Sequence, residues 1–254
     1  MTSQDPIRQD LRNRGHAIRQ SLNIAPPAEP ELLPGFEDFF AEAAYGGIWD
    51  RPHLGHQERM LCTLGVLSVH QREQLGDMIG SALDLCLAPR AILEVFMQVG
   101  LYGGFITTES SVKTARAVFK ARGIEVAPEP SRDDDNDTLD ARGHKIMAML
   151  HGERAGQGYA APGNEITGAL YPSAIRYGYG ELWDRPGLSH RKRMLTAISA
   201  FTALSLEALL RKFSQSALNI GLTKEEVMEA VIQTGPYSGF PRALIGLGIL
   251  SDVF

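Results

Sequence analysis

The strongest constraint on this chain is that much of it is written twice. Tyr45-Gly46, Trp49-Asp50-Arg51-Pro52, Leu54, His56 and Arg59-Met60-Leu61 recur as Tyr179-Gly180, Trp183-Asp184-Arg185-Pro186, Leu188, His190 and Arg193-Met194-Leu195, at an offset of 134. Upstream, Leu11, Arg14-Gly15-His16, Ile18 and Leu22 return as Leu139, Arg142-Gly143-His144, Ile146 and Leu150, at an offset of 128. Downstream, Glu94, Gln98, Tyr102, Gly104 and Phe105 return as Glu229, Gln233, Tyr237, Gly239 and Phe240, at an offset of 135. The second copy therefore carries six extra residues after its arm and one more further on. A period this long denotes a duplicated domain and predicts two similar halves about a pseudo-two-fold axis. The expected boundaries are 1–124 and 138–254, joined by a linker over 125–137 in which two prolines and an acidic run leave little that is apolar.

Every periodic segment reads as helix. From Arg72 to Cys86 the apolar positions Leu75, Met78, Ile79, Ala82 and Leu83 fall on one helical face, with Glu73, Asp77 and Asp84 opposite. Pro89 to Leu101 opens on a proline suited to a first turn and is apolar nearly all round, as a helix between layers would be. Thr223-Lys224-Glu225-Glu226 supplies an N-cap and acidic residues at the positive end of the next helix. No segment alternates with period two, so the predicted fold class is all-α.

Composition narrows the function. With 25 Lys+Arg against 30 Asp+Glu and a net charge of -5, the chain offers no basic face for nucleic acid or an anionic membrane surface. Apolar runs such as Leu61 to Val69 fall short of the ~20 residues of a spanning helix. Cys62 and Cys86 form neither a C-x-x-C pair nor a zinc clamp, and no secretory leader precedes them, so a cytoplasmic protein is expected. No phosphate-binding glycine loop or H-E-x-x-H motif points to a cofactor or metal, and neither is expected.

The strings Ala44 to Leu54, Arg59, and Glu94-x-x-x-Gln98-x-x-x-Tyr102-x-Gly104, with their second copies, resemble the carboxymuconolactone decarboxylase family. The resemblance implies an all-helical alkylhydroperoxidase D-like fold, and for a fused tandem copy a homotrimer with pseudo-hexameric symmetry. It implies one of two chemistries: decarboxylation of an unsaturated lactone acid, or thiol peroxidase chemistry through C-x-x-C-x-x-x-H. The cysteine positions of that motif hold Gln71 and Gln74 in the first copy, Leu206 and Leu209 in the second, so no thiol peroxidase is expected. The family's histidine position holds Met78 and Phe213. Shifting the alignment by one residue would instead bring Asp77 there, with Glu73 one turn before.

The expected catalytic residues are thus His70, the nearest replacement proton shuttle, with Glu73 and Asp77 as an acid/base pair at i, i+4. The competing reading makes Glu73 and Asp77 a solvated helix face. Arg59 and Glu94 are read either as a buried pair joining helices or as ligands of a substrate carboxylate. Trp49, Met78 and Tyr102 complete the expected substrate contacts, Tyr102 as a hydrogen-bond donor to a lactone or enolate oxygen. The expected activity is a cofactor-independent lyase acting on a small unsaturated lactone or aromatic-derived acid. A biosynthetic isomerase, cyclase or dehydratase, and a non-catalytic binding protein, are the alternatives.

Overall fold

A computed structural model describes residues 5–24, 32–128, 132–157 and 163–254. Among them there is no strand, and the α-helices of ten residues or more number ten. In the first half these are α1 (Pro6–Ser21), α2 (His56–Val69), α3 (Leu75–Asp84), α4 (Pro89–Gly103) and α5 (Phe105–Ala121). In the second they are α6 (Asn136–His151), α7 (His190–Ala203), α8 (Glu207–Asn219), α9 (Lys224–Gln233) and α10 (Phe240–Ser251).

The local signals are those expected. Thr223 and Glu226 form a capping box on α9, Glu58 accepts from the Gly55 amide at the start of α2, and Pro89 opens α4. Two boundaries differ from the sequence reading. α3 begins at Leu75 rather than Arg72, because Gln71 takes a left-handed backbone (φ 52°) and ends the preceding helix in a turn. α6 begins at Asn136, inside the stretch read as linker, because the Asp135 carboxylate caps it by accepting from the Thr138 amide at 2.7 Å. Linker residues 129–131 lie outside the described residues.

The repeated Tyr-Gly and Trp motifs fold as π-helices, Ala41–Trp49 and Ala174–Trp183. Each lies across the helical arm of its own half, α1 or α6, and glycine allows the contact. A Cβ on Gly46 would stand 2.0 Å from the Leu11 carbonyl oxygen, and one on Gly180 would stand 2.1 Å from that of Leu139. Gly15 and Gly143 meet the facing π-helix equally closely. These motif glycines are thus positions where two backbones touch.

The halves interlock. α2 packs against α7, α4 of the first half lies on α7, and α9 of the second lies on α2. One core cluster gathers first-half residues with Leu188 and Tyr237, the other second-half residues with Leu54, Cys62, Leu101 and Tyr102. Neither half closes its apolar core alone.

Candidate functional site

The alignment of the halves around the family's histidine position follows from the backbone. Left-handed residues Gln71 and Ser205 are 134 apart, whereas Cys86 and Gly221, the left-handed residues beyond α3 and α8, are 135 apart. The one extra residue therefore sits in the turn before α8. It keeps the buried pairs Leu75 with Leu210 and Met78 with Phe213 in register. Asp77 then corresponds to Lys212, a reversal of charge between the halves.

A cavity of about 910 Å³ opens beside α8. Its walls are Leu209 and Phe213 from α8, Ala174, Tyr179 and Trp183 from the second π-helix, and Leu101 and Tyr102 from α4 of the other half. Gln157 and residues 164–171, from the stretch where the second copy has its extra residues, supply the outer wall, with Asn164, Ile166, Thr167 and Leu170 in the lining. The lining is mainly apolar and aromatic, and among the described residues Lys212 is its one cationic side chain. Burial, then the nearby Arg154 charge, lowers the Lys212 pKa.

Polar groups enter at fixed points. The Tyr102 hydroxyl accepts from Gln98 Nε2 at 2.8 Å, and burial raises its pKa. The Tyr179 hydroxyl lies 2.9 Å from His151 Nε2, and burial raises its pKa also. His151 is 1% exposed, its Nδ1 lies 2.7 Å from Ser216 Oγ, and its ring centre is 4.9 Å from that of Phe213. Burial first, then the charges of Lys212 and Arg154, brings its pKa down to about 3, so the imidazole is neutral at neutral pH. Among the described residues, no three His, Cys, Asp or Glu side chains group as a metal site.

Of the residues singled out from sequence, Tyr102 lines this cavity and the others lie elsewhere. Arg59 is fully buried and its guanidinium is already engaged. It donates to Glu229 Oε2 at 2.9 Å, Gln233 Oε1 at 3.1 Å and the Arg51 carbonyl at 2.7 Å. Glu94 is equally buried and accepts from Arg193 Nη2 at 2.8 Å and Arg185 Nη2 at 2.9 Å. Both residues are spent in pairs that join the halves, which leaves neither free to hold a substrate carboxylate. Trp49 and Met78 are buried in the first-half core, where Trp49 Nε1 donates to the Tyr237 hydroxyl at 2.8 Å. Asp77 is exposed on α3 and Glu73 is exposed in the turn before it, so the expected helical pair at i, i+4 does not form. His70 caps α2 on another face, with Arg242 Nη1 3.4 Å from its Nε2, and burial followed by the Arg242 and Arg72 charges lowers its pKa. Cys62 is buried against the Leu195 carbonyl, and burial pushes its thiol up to about 11.

Two groups of the cavity wall, Lys212 and Tyr179, and His151 buried behind it escaped the sequence reading. Lys212 was legible as the charge reversal opposite Asp77, one residue before Phe213. Tyr179 was visible in the repeated motif but had no partner to give it a role. His151 carries no signal of its own, since the arm repeat at offset 128 sets it against Asn23.

Residues 169–252 match the model of the Carboxymuconolactone decarboxylase family. Over 79 residues the chain is 34% identical to 4-carboxymuconolactone decarboxylase of Acinetobacter baylyi, which covers 31% of this chain and 59% of that protein. Over 86 residues it is 27% identical to nitrosuccinic acid decarboxylase of Metarhizium robertsii, covering 34% and 55%. Over 78 residues it is 32% identical to an uncharacterized 15.0 kDa protein of Paracoccus denitrificans, covering 30% and 58%. The chain thus spans little more than half the length of each of these relatives.

Proposed function

We propose, for a chain whose residues 169–252 match the model of the carboxymuconolactone decarboxylase family, that it is a member of that family and a cofactor-independent decarboxylase of a small unsaturated or otherwise activated carboxylic acid. The site is the cavity of the second half. The observation that carries this reading is Lys212, among the described residues the one cationic side chain lining a mainly apolar and aromatic cavity. An ammonium in such surroundings selects an anion of small apolar body, and a carboxylate is the simplest ligand of that kind. The names of two relatives, a 4-carboxymuconolactone decarboxylase and a nitrosuccinic acid decarboxylase, describe loss of CO2 from an acid.

Loss of CO2 requires that the electrons of the breaking bond have somewhere to go. A conjugated lactone or a nitro group provides that sink within the substrate. The protein then has to bind, orient and exclude water around the reacting carbon, and to deliver a proton to it. The ring of aromatic side chains desolvates the carboxylate, which favours its conversion to uncharged CO2. Tyr102, held by Gln98, fixes one wall of the cavity.

We place this enzyme in the cytoplasm as a homotrimer, on the family resemblance and the two free cysteines. No helix of the described residues is long and apolar enough to cross a membrane. The test is CO2 release from 4-carboxymuconolactone and from nitrosuccinate by the purified chain. Turnover of either acid is the expected result. No turnover of either, with each nevertheless bound, would replace the enzyme reading with that of a binding protein.

A further inference from the structure

We propose that Tyr102 is the hydrogen-bond donor that holds the substrate's electron-sink oxygen as CO2 leaves, so that the site takes acids whose sink ends in a carbonyl or nitro oxygen. The inference rests on the decarboxylase reading above and assigns a catalytic residue to it. A difference between the two copies of one hydroxyl carries it.

In the core of the first half that hydroxyl belongs to Tyr237, and it is fully engaged. It accepts from Trp49 Nε1 at 2.8 Å and has the hydroxyls of Thr63 and Tyr45 as further side-chain hydrogen-bond partners. Thr63 Oγ1 in turn donates to the Arg59 carbonyl at 2.9 Å and accepts from Gln233 Nε2 at 3.2 Å. The Tyr237 proton thus has acceptors inside the protein.

The second half removes both of them. Ala197 stands where the repeat has Thr63. With no hydroxyl there, Gln98 Nε2 donates to the Tyr102 oxygen at 2.8 Å, while its Oε1 is held as an acceptor by Arg193 Nη1 at 3.2 Å. Tyr179, the counterpart of Tyr45, is committed to His151. Ser216 Oγ donates to the Lys212 carbonyl at 3.0 Å and accepts from Arg154 Nη2 at 3.2 Å, so it has no proton for His151. The neutral imidazole therefore carries its proton on Nδ1, donates it to Ser216 at 2.7 Å, and accepts the Tyr179 proton on Nε2 at 2.9 Å. The Tyr102 oxygen accepts from Gln98, with the Trp183 indole as its other side-chain partner. Its own proton meets no acceptor among the described residues, and its ring lines the cavity. An unmade bond of this kind is costly, and a ligand oxygen completes it.

The step balances without an oxidant or reductant. The bond between the substrate carbon and its carboxylate breaks, and its electron pair runs into the conjugated carbonyl or nitro group as CO2 departs. Negative charge collects on the oxygen of that group, where the Tyr102 O–H binds the developing anion more strongly than the neutral oxygen it came from. The Tyr102 O–H bond itself stays intact. The proton of the new C–H bond is drawn in the balance from water, and the hydroxide left carries the charge that entered as carboxylate.

The kinetic test uses whichever acid, 4-carboxymuconolactone or nitrosuccinate, the wild type decarboxylates. Tyr102→Phe is expected to lower kcat by about 10²-fold while KM stays within about threefold. A binding test reads the same hydrogen bond without turnover. Loss of CO2 from nitrosuccinate leaves the nitronate of 3-nitropropanoate, and by calorimetry the wild type is expected to hold that anion at least about tenfold more tightly than 3-nitropropanoate itself. Tyr102→Phe is expected to cut this preference by about tenfold. Ala197→Ser leaves Tyr102 in place but returns the hydroxyl that Thr63 supplies in the other half, and is expected to cut it also. An unchanged preference in both variants, or a wild type with none, overturns the proposal. An active wild type with Tyr102→Phe at full kcat overturns the proposal alone, whereas a wild type inactive on both acids overturns the decarboxylase reading.

Discussion

Arg193 of the second half donates through Nη2 to the Glu94 carboxylate of the first at 2.8 Å, with both side chains removed from solvent. The corresponding contact in the repeat, Arg59 to Glu229 at 2.9 Å, has the same form. Each carboxylate takes a second arginine, Arg185 or Arg51, and each buried guanidinium also reaches the glutamine one turn beyond the carboxylate. Buried charges are held only where partners surround them, so these networks fix how the halves dock.

Removing one carboxylate therefore leaves an arginine buried and uncompensated. Glu229→Gln and Glu94→Gln are each expected to destabilise the fold by about 3–5 kcal/mol, read from urea midpoints at constant slope. A loss below about 1 kcal/mol for both would show that the pairs do not hold the halves together.

The sequence announced these residue types but not their pairing. Glu94, Gln98 and Arg59 were legible as buried polar positions on apolar helices, and helix ends such as Thr223 and Pro89 were legible from capping chemistry. A repeat cannot say whether an arginine meets the glutamate of its own copy or of the other, because both arrangements leave the same pattern. The cavity was hidden for a related reason. Tyr102 comes to it from the first copy, and its outer wall comes from the segment where the second copy departs from the repeat. Asp77 lies opposite the apolar stripe of α3 as the pattern predicts, whereas Glu73 falls in the turn before that helix, because the left-handed Gln71 delays its start to Leu75, so the two carboxylates are not an i, i+4 helical pair.

Close backbone contact at the π-helix gives a second expectation. A Cβ at Gly180 would overlap the Leu139 carbonyl, so Gly180→Ala should push the second π-helix off α6. Overpacking of this kind costs about 1–3 kcal/mol. Because the adjacent Tyr179 lines the cavity, kcat/KM should fall more than the melting temperature suggests. Gly168→Ala, whose Cβ meets nothing within 4 Å, is the control and should leave stability within about 0.5 kcal/mol.

His151 makes stability depend on acid. Its imidazole titrates near 6.5 in the unfolded chain, while burial and the charges of Lys212 and Arg154 bring it to about 3 in the fold. Between those values the unfolded chain binds a proton that the folded chain does not. Stability from this group is therefore complete above about pH 6.5 and falls with pH toward 3, by ~1.4 kcal/mol per unit where the difference is one full proton. His151→Gln should flatten the urea midpoint between pH 6 and 4. His70 shifts in the same direction but is present in both proteins, and so cancels in the comparison. Equal slopes would mean that His151 titrates normally in the fold.

The charge reversal between the halves offers the most direct test of where the chemistry happens. Lys212 lines the cavity of the second half, and its counterpart Asp77 is exposed on the first. The decisive measurement is CO2 release by Lys212→Met and Asp77→Asn, made in parallel on the acid the wild type turns over. With the active site in the second-half cavity, kcat/KM is expected to fall by about 10–100-fold in Lys212→Met, chiefly through KM, and to stay unchanged in Asp77→Asn. Full activity in Lys212→Met together with loss of activity in Asp77→Asn would contradict it and return the active site to the first half.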